Sequence, residues 1–369
     1  MQQTLLVISV SLLGALATIV PPVAQAKAPV TQSRSSTFSS KTQQLNKLLA
    51  QARKLVEAGN SSGAIAMYQR AVALAPQNPR IFSGIGYLQA RRGNFPAAVV
   101  AYQQAASLDP HNADFQYALG YILGNLGDNA GAAAAYRRTI ELDVNNFNAY
   151  LGLGVVLLRQ GDYGGAMQTY QQLLTFDPRN ADAYELMGVM LLQQGHAREA
   201  TTALQQAAAL NPKNTSVLLN LATSWLRQGN DNAALLTLKQ VAWLEPSNTK
   251  AHLQMGKIFR SQKDFDGALN AYGQALFVQP NSVEAQAAVG EILLAQQRFL
   301  PAISAYHQLI KLSPRDANAY YNLGIALQGV KQNKEAVVAL SQARDLYKLQ
   351  GQKQELQRAE AALRKLTTQ

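Results

Sequence analysis

Ala64 is followed by an alanine every 34 residues, through Ala98, Ala132, Ala166, Ala200, Ala234, Ala268 and Ala302 to Ala336. A chain with such a period is built from copies of one small unit, each too short to bury an apolar core alone, so stacked neighbours must complete it. Three more lattices keep the same step. Proline recurs as Pro76, Pro110, Pro178, Pro212, Pro246, Pro280 and Pro314, with Val144 the one substitution. A small residue recurs as Ala52, Gly86, Gly120, Gly154, Gly188, Ala222, Gly256, Gly290 and Gly324. Four residues after each alanine stands a large side chain: Tyr68, Tyr102, Tyr136, Tyr170, Leu204, Leu238, Tyr272, Tyr306 and Leu340.

Each lattice has a helical meaning. Apolar residues three and four apart, such as Leu153, Val156 and Leu157, form the stripe one helix turns towards its partner. The small residue and the alanine sit where two helices of a unit cross and let the backbones approach. The tyrosine or leucine fills the gap towards the next unit. Gly93-Asn94, Gly127-Asp128, Gly161-Asp162, Gly195-His196 and Gly229-Asn230 place a glycine past the end of the first helix, with a turn former after it. Segments such as Asp177-Pro178-Arg179-Asn180 end the second helix and set an Asn as N-cap of the next. Where Val144 replaces proline, a less sharp boundary is expected.

With Leu153-Gly154, Ala166-x3-Tyr170 and Pro178 read in order, the chain resembles the tetratricopeptide repeat (TPR) family. The resemblance covers 45–350 as nine units and implies an all-α, right-handed α-solenoid that binds proteins or peptides. Polar residues at Gln43, Gln44, Lys47 and Arg53 suit an exposed first unit, and no tenth unit begins at Lys348. Residues 351–369 are expected to form a capping helix, with Leu356, Ala359, Leu363 and Leu366 on one side and Gln357, Arg358, Arg364 and Lys365 opposite.

Composition excludes several classes. The chain is 48% hydrophobic and 15% charged, with no Cys, so disorder, a disulfide scaffold and a thiolate metal site are ruled out. The formal charge of +11 falls to +6 between residues 45 and 350, where 26 basic residues face 20 acidic ones with no basic run longer than two. Nucleic acid is not an expected partner. Leu5 to Val20 is an apolar run of 16 residues, followed by Pro21-Pro22 and Ala24-Gln25-Ala26. It is shorter than the ~20 residues of a membrane span and reads as a signal peptide at 1–26, cleaved after Ala26, with an uncleaved anchor as the alternative. Without Cys a lipid anchor is not expected, and no stable membrane insertion is expected after cleavage. Residues 27–44, rich in Ser and Thr, read as a flexible leader. Localisation is thus periplasmic or secreted.

No catalytic chemistry emerges, so the chain is read as a non-enzyme without cofactor or metal. His111, His196, His252 and His307 lie far apart, His196 in a turn and His252 at the large-residue position of Tyr150 and Tyr184. Glycine pairs such as Gly164-Gly165 belong to repeat turns.

What remains is a binding surface. In the TPR frame, Tyr87, Tyr117, Tyr121 and Tyr321 fall on first-helix positions that line the concave groove. Leu151, Val155, Val189, Leu219 and Leu253 share those positions, and Leu158, Leu192 and Leu226 come one turn later. Arg91, Arg159 and Arg227 edge the groove, 68 residues apart. Such a floor suits a protein or peptide with apolar anchors and some acidic groups; packing between neighbouring first helices is the competing reading. The clamp by which some TPR proteins hold an acidic C-terminus is not supported, since Tyr117, Tyr121, Gly152, Asp182 and Leu186 stand at its positions. Repeat count, signal peptide, lack of Cys and absence of any extra domain are also similar to periplasmic TPR factors of photosystem II biogenesis in cyanobacteria. That resemblance implies a reaction-centre precursor as partner and manganese without nominated ligands. The alternative is an assembly protein for pili, export or cell wall. Trp243 stands where the repeat is usually polar, facing either solvent or the seventh unit.

Overall fold

The computed structural model describes residues 36–367, in which there are nineteen α-helices and no strand. Residues 1–35, and with them the signal-peptide reading, lie outside the described residues. Two compact units divide the chain at Met190 and Leu191. Unit 1 contains α1 (Ser36–Glu57), α2 (Ser61–Leu74), α3 (Pro79–Arg91), α4 (Phe95–Leu108), α5 (Ala113–Leu126), α6 (Asn129–Leu142), α7 (Phe147–Arg159) and α8 (Tyr163–Phe176). The boundary falls within α9 (Ala181–Gln193). Unit 2 continues with α10 (Ala197–Leu210), α11 (Thr215–Arg227), α12 (Asp231–Leu244), α13 (Thr249–Ser261), α14 (Phe265–Val278), α15 (Val283–Ala295), α16 (Phe299–Leu312), α17 (Ala317–Gly329), α18 (Asn333–Leu349) and α19 (Lys353–Thr367). In chain order the helices alternate as first (odd-numbered, through α17) and second (even-numbered). The second helices α2, α4, α6 and α8 in unit 1 and α12, α14, α16 and α18 in unit 2 each pack on the first helix before them, and α19 packs on α18.

Helix starts keep the period of the sequence, most of them with the same side-chain cap, while the second helices after His196, Arg298 and Gln332 start on the same step without one. Asn60, Asn94, Asp128 and Asp162 accept the N–H three residues on, as in Gly165 N to Asp162 Oδ1 at 2.8 Å. First helices are capped likewise, for instance by Asn180 on Ala183 N at 3.0 Å. The unit around Val144 is as sharply bounded as its neighbours, contrary to expectation. There α6 ends at Leu142 and α7 opens at Phe147, the Asp143 carboxylate accepting Asn145 N at 3.1 Å and Asn146 capping α7. Side-chain turn chemistry replaces the proline. Two further boundaries differ from those the sequence suggests. Helix α1 begins at Ser36, so the second half of the stretch read as a flexible leader is helical, and Gly164 and Gly165 form the first turn of α8 rather than a turn between helices.

The core follows the lattices. All nine lattice alanines are fully buried. The large side chain of the same unit, rather than bare backbone, fills the space left by the lattice glycines: a tyrosine ring at Gly86, Gly120, Gly154, Gly256 and Gly290, and Leu340 at Gly324. A Cβ on Gly120 would lie 2.9 Å from the Tyr136 ring and one on Gly152 2.5 Å from its far end, so a single tyrosine joins α5, α6 and α7. At the C-terminal end, Ala359 and Leu366 of α19 are buried while Gln357, Arg358, Arg364 and Lys365 are exposed, the expected polarity of a cap.

Candidate partner-binding surface

The first helices of unit 1 carry an aromatic row. Tyr87 of α3 and Tyr121 of α5 pack half-buried against one apolar cluster, that of Ala98, Tyr102 and Ile122, so each keeps part of its ring towards solvent. Arg91, one turn after Tyr87, holds its guanidinium 6.0 Å from the Tyr87 ring centre, within cation-π range. Tyr117 turns inward, its ring centre 5.9 Å from that of Tyr136. Burial, and after it the neighbouring Tyr121, push the Tyr117 phenol up to about 12. Val155 and Leu158 of α7 continue the row half-buried.

Other predicted site residues belong to the interior. Leu151 and Val189 in unit 1 and Leu192 in unit 2 are exposed by only 6%, 8% and 5%, which leaves a partner almost nothing to touch. Leu219 packs half-buried on the cluster of Leu218, Ala222 and Leu238. The arginines act between repeats. Arg159 Nη1 donates to Gly124 O at 2.9 Å, and Arg227 Nη1 donates to Leu192 O. Each arginine reaches back 35 residues to a carbonyl in the last turn of the preceding first helix, where helix geometry leaves acceptors unmatched. Both guanidiniums are engaged in stacking the solenoid, and the sequence offers no signal for this because a carbonyl has no residue type.

In unit 2 the same row is polar for three repeats, with Thr223, Lys257 and Glu291 at the positions that hold Tyr87 and Tyr121 in unit 1, and returns to an apolar residue at the half-buried Ile325. Lys257 Nζ lies 2.5 Å from Glu284, and Arg260 lies 2.9 Å from Glu291, pairing α13 with α15. These exposed pairs were missed in the sequence, as was Glu199, three residues after His196 with its Oε1 3.8 Å from the ring. His252 is buried, its Nε2 2.8 Å from Pro246 O. Among the described residues no three His, Asp or Glu side chains converge on a metal-sized site, and no helix is long and apolar enough to cross a membrane. Trp243 is exposed.

Stacked two-helix units with a side-chain surface on their first helices define an interaction scaffold of the helical-repeat class. Models of the tetratricopeptide repeat match residues 49–113, 117–181 and 253–303, a second such model 191–258 and a TPR repeat model 290–330. The chain belongs to the tetratricopeptide repeat family. Among solved structures, a tetratricopeptide repeat protein from Parabacteroides merdae is 16% identical, with a TM-score of 0.51, covering 68% of this chain and 99% of its own. The C-terminal part of a TPR repeat-containing protein from Cytophaga hutchinsonii is 15% identical, with a TM-score of 0.56 and coverages of 64% and 98%. PilF from Pseudomonas aeruginosa is 23% identical, with a TM-score of 0.48 and coverages of 57% and 95%. No curated protein matches the chain.

Proposed function

We propose that the chain is a non-enzymatic assembly scaffold of the cell envelope that holds a protein segment on the first helices of unit 1. The observation that carries this reading is the pair of half-buried rings at Tyr87 and Tyr121, which share one apolar cluster beside the Arg91 guanidinium. Ring faces take aliphatic or aromatic anchors, and the cation favours an acidic group nearby. In the sixth, seventh and eighth repeats Thr223, Lys257 and Glu291 stand where those two rings are.

An envelope location is supported by the composition of residues 1–26, and mass spectrometry of the purified chain should find Lys27 at its N-terminus. For binding, Tyr87→Ala together with Tyr121→Ala should lower recovery of the partner at least tenfold in affinity purification from the native envelope, with circular dichroism unchanged. Undiminished recovery with intact helix content would remove the groove from the proposal. The identity of the captured protein decides between a photosystem II reaction-centre precursor and a pilus, export or cell-wall component.

A further inference from the structure

The second helices of the sixth and seventh repeats expose large apolar side chains that the repeat does not require. Leu236 and Trp243 lie seven residues apart on one face of α12, and Phe277 holds on α14 the position that Trp243 holds on α12. They are 70%, 78% and 84% exposed. The other repeats fill the Trp243 position with residues such as Ser107, Glu141, Thr175 and Lys311, so internal packing does not ask for a ring there.

A second observation points the same way. Gly273 stands in the middle of α14, four residues before Phe277, and a Cβ built on it would meet nothing within 4 Å. Glycine weakens a helix interior, and no contact within the fold calls for it. Other repeats place Gln103, Arg137, Gln171 or Lys239 at this position, side chains that would cover the backbone. Alongside runs a cavity of about 410 Å3, with Met255, Phe259 and Ala271 among its lining and Asp266 and Asn270 at its α14 wall. Lys239 of α12 approaches one of its lining residues, its ammonium 6.0 Å from the centre of the Phe259 ring.

We propose that this face is a two-fold contact between two copies of the chain. A two-fold interface must be self-complementary, each patch offering both the projections and the hollows. Here the rings of Trp243 and Phe277 project, the bare backbone at Gly273 and the Met255–Phe259 cavity recede, and Lys239 and Asp266 supply opposite charges on one patch. The rings alone supply a large share of the area such a contact needs. An aromatic side chain contributes about 150–250 Å2. Four rings across the axis therefore reach roughly half of the ~1,200–2,000 Å2 of a stable interface, and the exposed Leu236 of each copy adds to that.

Sedimentation velocity of the full chain over a concentration series tests this. The wild type should pass from monomer to dimer. Trp243→Ser with Phe277→Ser should halve the mass at every dimer-forming concentration, because serine already serves at this position in the second repeat. Gly273→Gln should do the same by filling the hollow, with helix content at least equal to wild type. Association through the apolar residues near the N-terminus would persist in both variants. A wild type that stays monomeric, as a partner of another kind would leave it, or variants that remain dimeric, would overturn the proposal. Tyr87→Ala should leave the sedimentation unchanged, which separates this contact from the groove.

Discussion

The glycine of the small-residue lattice shows how one absent Cβ sets the packing of a repeat. A Cβ on Gly154 would overlap the Tyr170 ring, whereas one on Gly164 would have only Asp162 Oδ1 for a neighbour, at 3.9 Å. Gly154→Ala should therefore destabilise the chain by about 1–3 kcal/mol, the usual range for overpacking. Gly164→Ala should raise stability by roughly 0.5–1 kcal/mol through the chain entropy it removes. Thermal unfolding followed by circular dichroism checks both, and a neutral Gly154→Ala would break the link between the lattice and the ring. That a small residue was needed is legible in the sequence, since it recurs in every unit. The role of Arg159 is not: its acceptor is the Gly124 carbonyl, and backbone acceptors leave no trace in residue type. For Leu151 and Val189 the sequence left groove and interior both open, because neighbouring first helices compete with a partner for the same stripe, and the packing between helices takes them.

Between the helices, the turn that the glycines announce continues where they stop. Gly59, Gly93, Gly127, Gly161, Gly195 and Gly229 have positive φ, and at the same step Lys263, Gln297 and Lys331 adopt it too, with φ of 61°, 59° and 63°. Hydrogen bonding is the same in both groups. Asp162 N donates to Leu157 O at 2.9 Å, and Gln332 N donates to Leu327 O at 3.0 Å. The turn is held by the packing on either side, which overrides the preference of an L residue for negative φ. Sequence reading sees the turn where glycine marks it and loses it in the last three repeats. Lys331→Gly should then stabilise unit 2 by about 1 kcal/mol, the left-handed strain less the added freedom of the unfolded chain. An unchanged or lower Tm would mean that the lysine side chain contributes contacts of its own.

Over the whole chain, buried phenols recur with the repeat and make stability depend on alkaline pH. Burial is the first cause of raised tyrosine pKa values at Tyr68, Tyr102, Tyr117, Tyr136, Tyr150 and Tyr170 in unit 1, and at Tyr272, Tyr306 and Tyr347 in unit 2. The folded state favours the neutral phenol. Its contribution is therefore complete below the ordinary tyrosine value near 10 and is lost as pH rises through the folded values, about 12 for Tyr117 and Tyr347. In a solenoid each unit leans only on its neighbours, so the loss concentrates where the phenols are, six in unit 1 against three in unit 2. Tyr170 isolates the effect, since its hydroxyl is buried without a hydrogen-bond partner among the described residues. Removing an unpartnered polar group leaves the packing of the ring in place, so Tyr170→Phe should be neutral or slightly stabilising at pH 7. Above pH 10 the same variant should retain helix content to higher pH than wild type, because one neutral-only group has been taken out of the fold. Parallel alkaline titrations by tyrosinate absorbance and far-ultraviolet circular dichroism decide the matter. If the two proteins lose helix at the same pH, ionisation at this position does not limit the alkaline stability of unit 1.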